Sequence, residues 1–123
     1  AVHAILGGVE RVHLVEPLDV MDMHNAMARS SFIMTDSGGL QEEAPSLGKP
    51  VLVLRTETER PEVVSCGAAV VAGVEEARIF ELALRLLDDE AFYRDMVCQE
   101  NPFGDGHASE RIARIILEWG GRA

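Results

Sequence analysis

Short apolar runs alternate with amphipathic stretches along the whole chain, and this alternation predicts strands and helices in turn. Runs typical of strands, several of them rich in β-branched residues, occur at 11–15, 31–35, 51–54 and 68–71. Helical patterns occupy 19–29, 40–47, 62–66, 75–87, 91–97 and 108–119. Strands that alternate with helices form parallel sheets, so the predicted fold is α/β, a doubly wound parallel sheet with helices on both faces.

The clearest helix lies between residues 75 and 87. Its apolar side chains recur at the spacing of a single helix face: Ile79, Leu82, Ala83, Leu86 and Leu87. By contrast, residues 1–8 read as the end of a helix that stops at a glycine, whereas a doubly wound domain begins with a central strand. We therefore expect residues 1–123 to be part of a domain rather than all of it.

The charge of the chain limits the classes of partner that it can bind. The formal net charge is −10, from 21 acidic and 11 basic residues, and no basic stripe with interleaved aromatic residues is present. A nucleic acid would be repelled, so none is expected as a partner. The sequence contains no run of 18 apolar residues and no basic stretch followed by an apolar one, so we expect no membrane span, no secretory signal and a cytoplasmic location.

Metal-binding patterns are also absent from the sequence. Cys66 and Cys98 lie far apart without the spacing of metal ligands, which favours two reduced thiols. The four histidines are scattered along the chain. We therefore expect no metal site.

The strongest local signal is the glycine-rich turn around residues 37–39. An apolar run leads into Ser37, Gly38 and Gly39, and a helical pattern follows at once. Unpaired amides at the start of a helix bind phosphate well, and the glycines leave these amides uncovered. A side chain of Asp36 or Ser37 that caps the helix explains the same pattern. The residues alone leave both interpretations open, and the Lys-Ser/Thr pair of a P-loop is missing.

Two charged groups follow this turn. Glu43, one helical turn further on, could accept hydrogen bonds from the two hydroxyls of a ribose, whereas Glu42 is expected to be a solvated helix residue. Arg60 precedes a proline that begins a helix and lies in the loop after the strand predicted at 51–54. It could pair with a phosphate or with a nearby glutamate, and both roles are compatible.

Five motifs, kept in order and spacing, resemble those of the non-hydrolysing UDP-N-acetylglucosamine 2-epimerases. They are PL at 17–18, TDSGGLQEEAP at 35–45, LGKPVLV at 47–53, TERPE at 58–62 and NPFGDG at 101–106. The resemblance implies part of the C-terminal, Rossmann-like domain of a two-domain GT-B-like fold. It also implies an enzyme that interconverts UDP-N-acetylglucosamine and UDP-N-acetylmannosamine by loss and re-addition of UDP, without metal or nicotinamide.

Carried over, the resemblance assigns the diphosphate to Ser37, Gly38 and Gly39, the ribose to Glu43 and the UDP moiety to Arg60. Leu18 and Met23 would lie near the uracil. The family often has aromatic residues after the PL motif, and here those places are held by Val20 and Met23. The helix at 108–119 would pack on an N-terminal domain, and the whole protein would be a homodimer.

The family's catalytic carboxylates lie in that N-terminal domain, so no catalytic residue is assigned here and residues 1–123 alone are not expected to be active. A UDP-sugar glycosyltransferase of the same fold class and a non-catalytic nucleotide-sugar-binding module are the alternatives.

Overall fold

Three short parallel strands form the sheet of this chain. In a computed structural model, which describes residues 1–97 and 101–121, the strands are β1 (Ile33–Thr35), β2 (Val51–Val53) and β3 (Ala69–Val71). They pair in the order β1-β2-β3, and Val51 of the central strand lies opposite Ile33 on one side and Ala69 on the other. Three of the four predicted strands are therefore present, each slightly shorter than its apolar run.

Helices follow the strands as the periodicity predicts. They are α1 (Val2–Leu6), α2 (Val20–Arg29), α3 (Gly38–Glu43), α4 (Pro61–Ser65), α5 (Glu76–Asp88), α6 (Glu90–Asp95) and α7 (Ala108–Gly120). A 3₁₀ turn, Ala44–Leu47, continues α3 and ends at Gly48, whose φ is 65°. Because Pro45 has no N–H to continue the α-helical ladder, the helix predicted at 40–47 is two pieces rather than one.

The two faces of the sheet are covered by separate apolar clusters. Val51 and Val53 point into one, with Met27 of α2 and Val63 of α4, whereas Leu52 points into the other. Leu82 and Leu86 of α5 complete the second cluster. This alternation along β2 buries the strand on both sides and confirms the α/β fold with two covered faces.

The strand predicted at 11–15 is wrong. Arg11 adopts a φ of 68°, which interrupts an extended backbone, and the N–H of Val12 bonds to the carbonyl of Val9 in a turn. Arg11, Val12, His13 and Val15 are exposed, and none of the described strands pairs with this segment. An alternating pattern becomes a strand only where a neighbouring strand accepts its hydrogen bonds.

The helix predicted at 108–119 is confirmed as α7. Its apolar face is exposed, including Ile112, Ile115, Ile116 and Trp119. Cys98, predicted to be a reduced thiol, lies outside the described residues. Within the described part of the chain, no helix combines the length and the apolarity needed to cross a bilayer.

Candidate functional site

The turn between β1 and α3 presents its backbone amides to the surface. Ser37 occupies the N-cap position, and its own N–H donates to Oγ1 of Thr35 over 3.0 Å. Its side chain makes no capping bond. Among the described residues, no acceptor binds the amides of Gly38, Gly39 or Leu40. The capping interpretation of the motif is thus not supported. Ser37 and Gly39 are exposed and Gly38 is half-buried, so a ligand can approach the turn from solvent.

Arg60 approaches this turn from the neighbouring loop. It is the N-cap residue of α4, with Pro61 directly after it. Its Nε donates to Glu42, its Nη1 donates to the carbonyl of Glu59 over 3.1 Å, and a methyl group built on Gly38 would lie 3.8 Å from its Nη2. Two nitrogens of the guanidinium therefore hold it in place, and the third faces the glycine.

The pairing of Arg60 with Glu42 sets the electrostatics of this corner. The hydrogen bond and the negative charge of Glu42 raise the pKa of Arg60 above its ordinary value, with smaller contributions from Glu59 and Glu62. The guanidinium is therefore charged at any physiological pH. The expectation that Glu42 is merely solvated is wrong, since it fixes the arginine.

Glu43 is held from the opposite side. Its Oε2 lies 2.9 Å from Nε2 of His24 on α2, and its Oε1 would lie 3.9 Å from a methyl group built on Gly39. Oγ of Ser37 would lie at the same 3.9 Å from that methyl group. One carboxylate oxygen is thus anchored by the histidine, and the other faces the turn.

The two residues assigned to the uracil lie before and within α2. Leu18 is exposed on the irregular segment that precedes the helix, whereas Met23 is half-buried and packs on the first core cluster. The side chain of the next residue, His24, reaches Glu43. Met23 is therefore close to the site along the chain, but part of its surface is committed to the core.

An open depression of about 430 Å³ lies beside this corner. Its lining consists of residues 54–59 and Val74, which follow β2 and β3 at the carboxyl edge of the sheet. Ligands of open α/β sheets bind at this edge. Among the described residues, no group of three or more histidine, cysteine or acidic side chains is arranged to hold a metal ion.

Sequence reasoning missed two side-chain pairings at this site. No role was predicted for His24, yet it contacts Glu43, 19 positions away. Gln41 was given no role, yet it is buried and bonds to Ser37 and Thr58. A local signal existed for Thr58 alone, because a threonine two residues before a helix N-cap commonly accepts a backbone bond there.

The parallel sheet, the open amides and the fixed arginine define an α/β unit of the kind that binds anionic ligands at its carboxyl edge. The family model of UDP-N-acetylglucosamine 2-epimerase matches residues 1–117. The chain belongs to the UDP-N-acetylglucosamine 2-epimerase family.

Individual relatives agree with this assignment. The UDP-N-acetylglucosamine 2-epimerase of Bacillus subtilis is 56% identical over 117 residues, which are 95% of this chain and 31% of that protein. The solved S. aureus MnaA-UDP co-structure is 51% identical, with a TM-score of 0.90 over 98% of this chain and 33% of that one. UDP-GlcNAc 2-epimerase from Neisseria meningitidis, bound to UDP-GlcNAc, is 44% identical, with a TM-score of 0.87 over 95% of this chain and 32% of that one. The chain thus spans about a third of the length of the relatives it matches.

Proposed function

We propose that this segment supplies the UDP-binding part of a site at which the whole protein interconverts UDP-N-acetylglucosamine and UDP-N-acetylmannosamine. One observation carries the proposal: Nη2 of Arg60 faces Gly38 at the open turn, in a chain that is 51% identical to a protein solved with UDP. A guanidinium and uncovered amides on one side of a shallow surface suit a diphosphate.

Each group at the corner has a place in this proposal. The diphosphate binds the amides of Gly38 and Gly39, the hydroxyl of Ser37 and the guanidinium of Arg60. Glu43 accepts the ribose hydroxyls through the oxygen that His24 does not hold. The uracil lies toward Leu18 and Met23, and the exposed surface of Met23 packs on it.

The chemistry assigned to the whole protein needs such a site. Loss of UDP from the sugar leaves the developing negative charge on the diphosphate, and fixed donors stabilise that charge without reorganising during the reaction. The segment itself binds the leaving group and contributes no proton donor or acceptor to the sugar.

The surroundings of the segment complete the proposal. The exposed apolar face of α7 packs on an N-terminal domain, and the whole protein is a cytoplasmic homodimer that supplies activated N-acetylmannosamine for polysaccharide synthesis. The lengths of the relatives, about three times that of this chain, support the presence of further domains.

UDP titration tests the binding site. Ser37→Ala and Arg60→Ala should each weaken UDP binding by about 10- to 100-fold, because each removes a charge-assisted hydrogen bond. The matched control is Arg94→Ala, which breaks an exposed Arg94–Glu90 pair on α6 and should leave UDP affinity unchanged. Unchanged affinity in both site variants would reject the assignment.

The reaction class is tested separately on the whole protein. Solvent isotope exchange at the sugar C2 supports epimerisation. Transfer of the sugar to an acceptor would make the protein a glycosyltransferase. UDP binding with neither reaction would make it a binding module.

A further inference from the structure

A buried side-chain amide connects the two loops of the candidate site. Gln41 on α3 is only 1% exposed, which is unusual for a glutamine. Its Nε2 donates to the carbonyl of Ser37 over 3.1 Å, and its Oε1 accepts from the hydroxyl of Thr58 over 2.6 Å. Both the nitrogen and the oxygen of its side-chain amide therefore make a hydrogen bond.

The connection continues to the arginine. Oγ1 of Thr58, which donates its proton to Gln41, accepts the backbone N–H of Arg60 over 3.0 Å. The chain of bonds thus runs from the N-cap residue of α3 to the N-cap residue of α4. No side-chain nitrogen or oxygen buried in the described residues is left without a partner.

We infer that Gln41 is a positioning residue that fixes the distance between the Ser37–Gly39 turn and Arg60, and so sets the affinity for a nucleoside diphosphate. The inference rests on the proposed function, because it needs a diphosphate that spans both loops. An apolar side chain of the same length would fill the space at Gln41 without burying polar atoms. Only the amide makes both bonds at once, one to each loop.

The paired substitutions Gln41→Met and Thr58→Val separate positioning from stability. Gln41→Met alone leaves the hydroxyl of Thr58 without its acceptor, and Thr58→Val alone leaves Oε1 of Gln41 without its donor. The double variant leaves neither and regains part of the lost stability, although the N–H of Arg60 loses Oγ1 of Thr58 in both variants that carry Thr58→Val. If Gln41 positions the loops, the double variant folds stably and still binds UDP about tenfold more weakly, because a small misplacement of binding groups is costly.

Titration with UDP and with uridine provides the readout. Loss of the connection should weaken UDP binding and leave uridine binding unchanged, since uridine has no phosphate to span the loops. Tyr93→Phe is the matched control, because it removes a 2.9 Å bond to the carbonyl of Ser31 that also joins distant parts of the chain. It should lower stability without changing UDP affinity.

Two results would overturn the inference. In one, Gln41→Met, which leaves the bond from the Arg60 N–H to Thr58 in place, binds UDP like the unaltered protein. Gln41→Leu decides the same point if Gln41→Met does not fold. In the other, affinity for UDP and uridine falls equally, or recovers in the double variant together with stability. If the unaltered protein binds no UDP, the proposed function fails first and the inference falls with it.

Discussion

The glycine at position 38 allows a test in which stability and binding should change in opposite directions. Gly38 is the first residue of α3 and has a negative φ, so alanine fits its backbone conformation. A methyl group there would lie 3.8 Å from Nη2 and 4.0 Å from Cζ of Arg60, which is ordinary van der Waals contact. Gly38→Ala should therefore fold without strain.

Gly38→Ala should change both the stability of the fold and the affinity for UDP. Replacing glycine by alanine in a helix stabilises it by up to about 0.5–1 kcal/mol, chiefly because the unfolded chain loses freedom. The same methyl group fills the gap between the Gly38 amide and Nη2 of Arg60, where a phosphate oxygen would bind. Loss of those charge-assisted bonds should weaken UDP binding by about 10- to 100-fold.

Urea unfolding and calorimetric UDP titration measure the two effects on the same samples. Gly120→Ala is the matched control, because Gly120 is also helical and a methyl group there meets no atom within 4 Å. It should leave UDP affinity unchanged. If Gly38→Ala stabilised the fold and bound UDP normally, the diphosphate would not lie against this turn, and the site assignment would be refuted.

The remaining predictions concern the core, the ribose contact and α7. Leu52→Ala, in a fully buried strand, should lower the free energy of unfolding by about 2–5 kcal/mol in urea titrations. A smaller loss would mean that neighbouring side chains move in to fill the cavity that the leucine leaves. His24→Ala frees the anchored oxygen of Glu43 and should weaken binding of UDP but not of inorganic diphosphate, which has no ribose. The pKa of Asp105 is lowered, first by its hydrogen bonds to Arg111 and then by the N–H of His107. Its contribution to stability is therefore present above the ordinary pKa of aspartate and is lost as pH falls through the depressed pKa. In an acid titration followed by NMR, the amide chemical shift of His107 should change at a pH below the ordinary pKa of aspartate. The same change should be missing in Asp105→Asn.

The fold was largely predictable because its signals are local. Asp19 caps α2 through its side chain, Gly48 takes the left-handed conformation after the 3₁₀ turn, and Leu82 and Leu86 of α5 face the sheet, whereas Leu87, predicted for the same face, is exposed. Each depends on residues within a few positions along the chain. The strand prediction at 11–15 was wrong for the opposite reason, since a strand needs a neighbouring strand to pair with and the local pattern does not specify one.

The candidate site was predictable only in part, because its pairings cross between elements. Ser37, Gly38, Gly39 and Arg60 were singled out from their places after β1 and β2, and the structure brings them together. The pairs His24–Glu43, Glu42–Arg60 and Gln41–Thr58 join residues 19, 18 and 17 positions apart. Which partners meet depends on how α2, α3 and α4 pack, and spacing along the sequence does not contain that information.

These pairings also explain how a strongly acidic chain can offer an anion site. Arg60 donates hydrogen bonds from Nε to Glu42 and from Nη1 to the carbonyl of Glu59, so the guanidinium is oriented before a ligand arrives. An arginine fixed in this way loses less conformational freedom on binding than a mobile one. The carboxylate of Glu42 also repels an approaching phosphate, so orientation is gained at some cost in attraction. Glu42→Gln would keep an acceptor for Nε but remove the negative charge that both repels a phosphate and holds Arg60. UDP titration of that variant should show tighter binding if the repulsion outweighs the hold on Arg60, and weaker binding would show that orientation matters more.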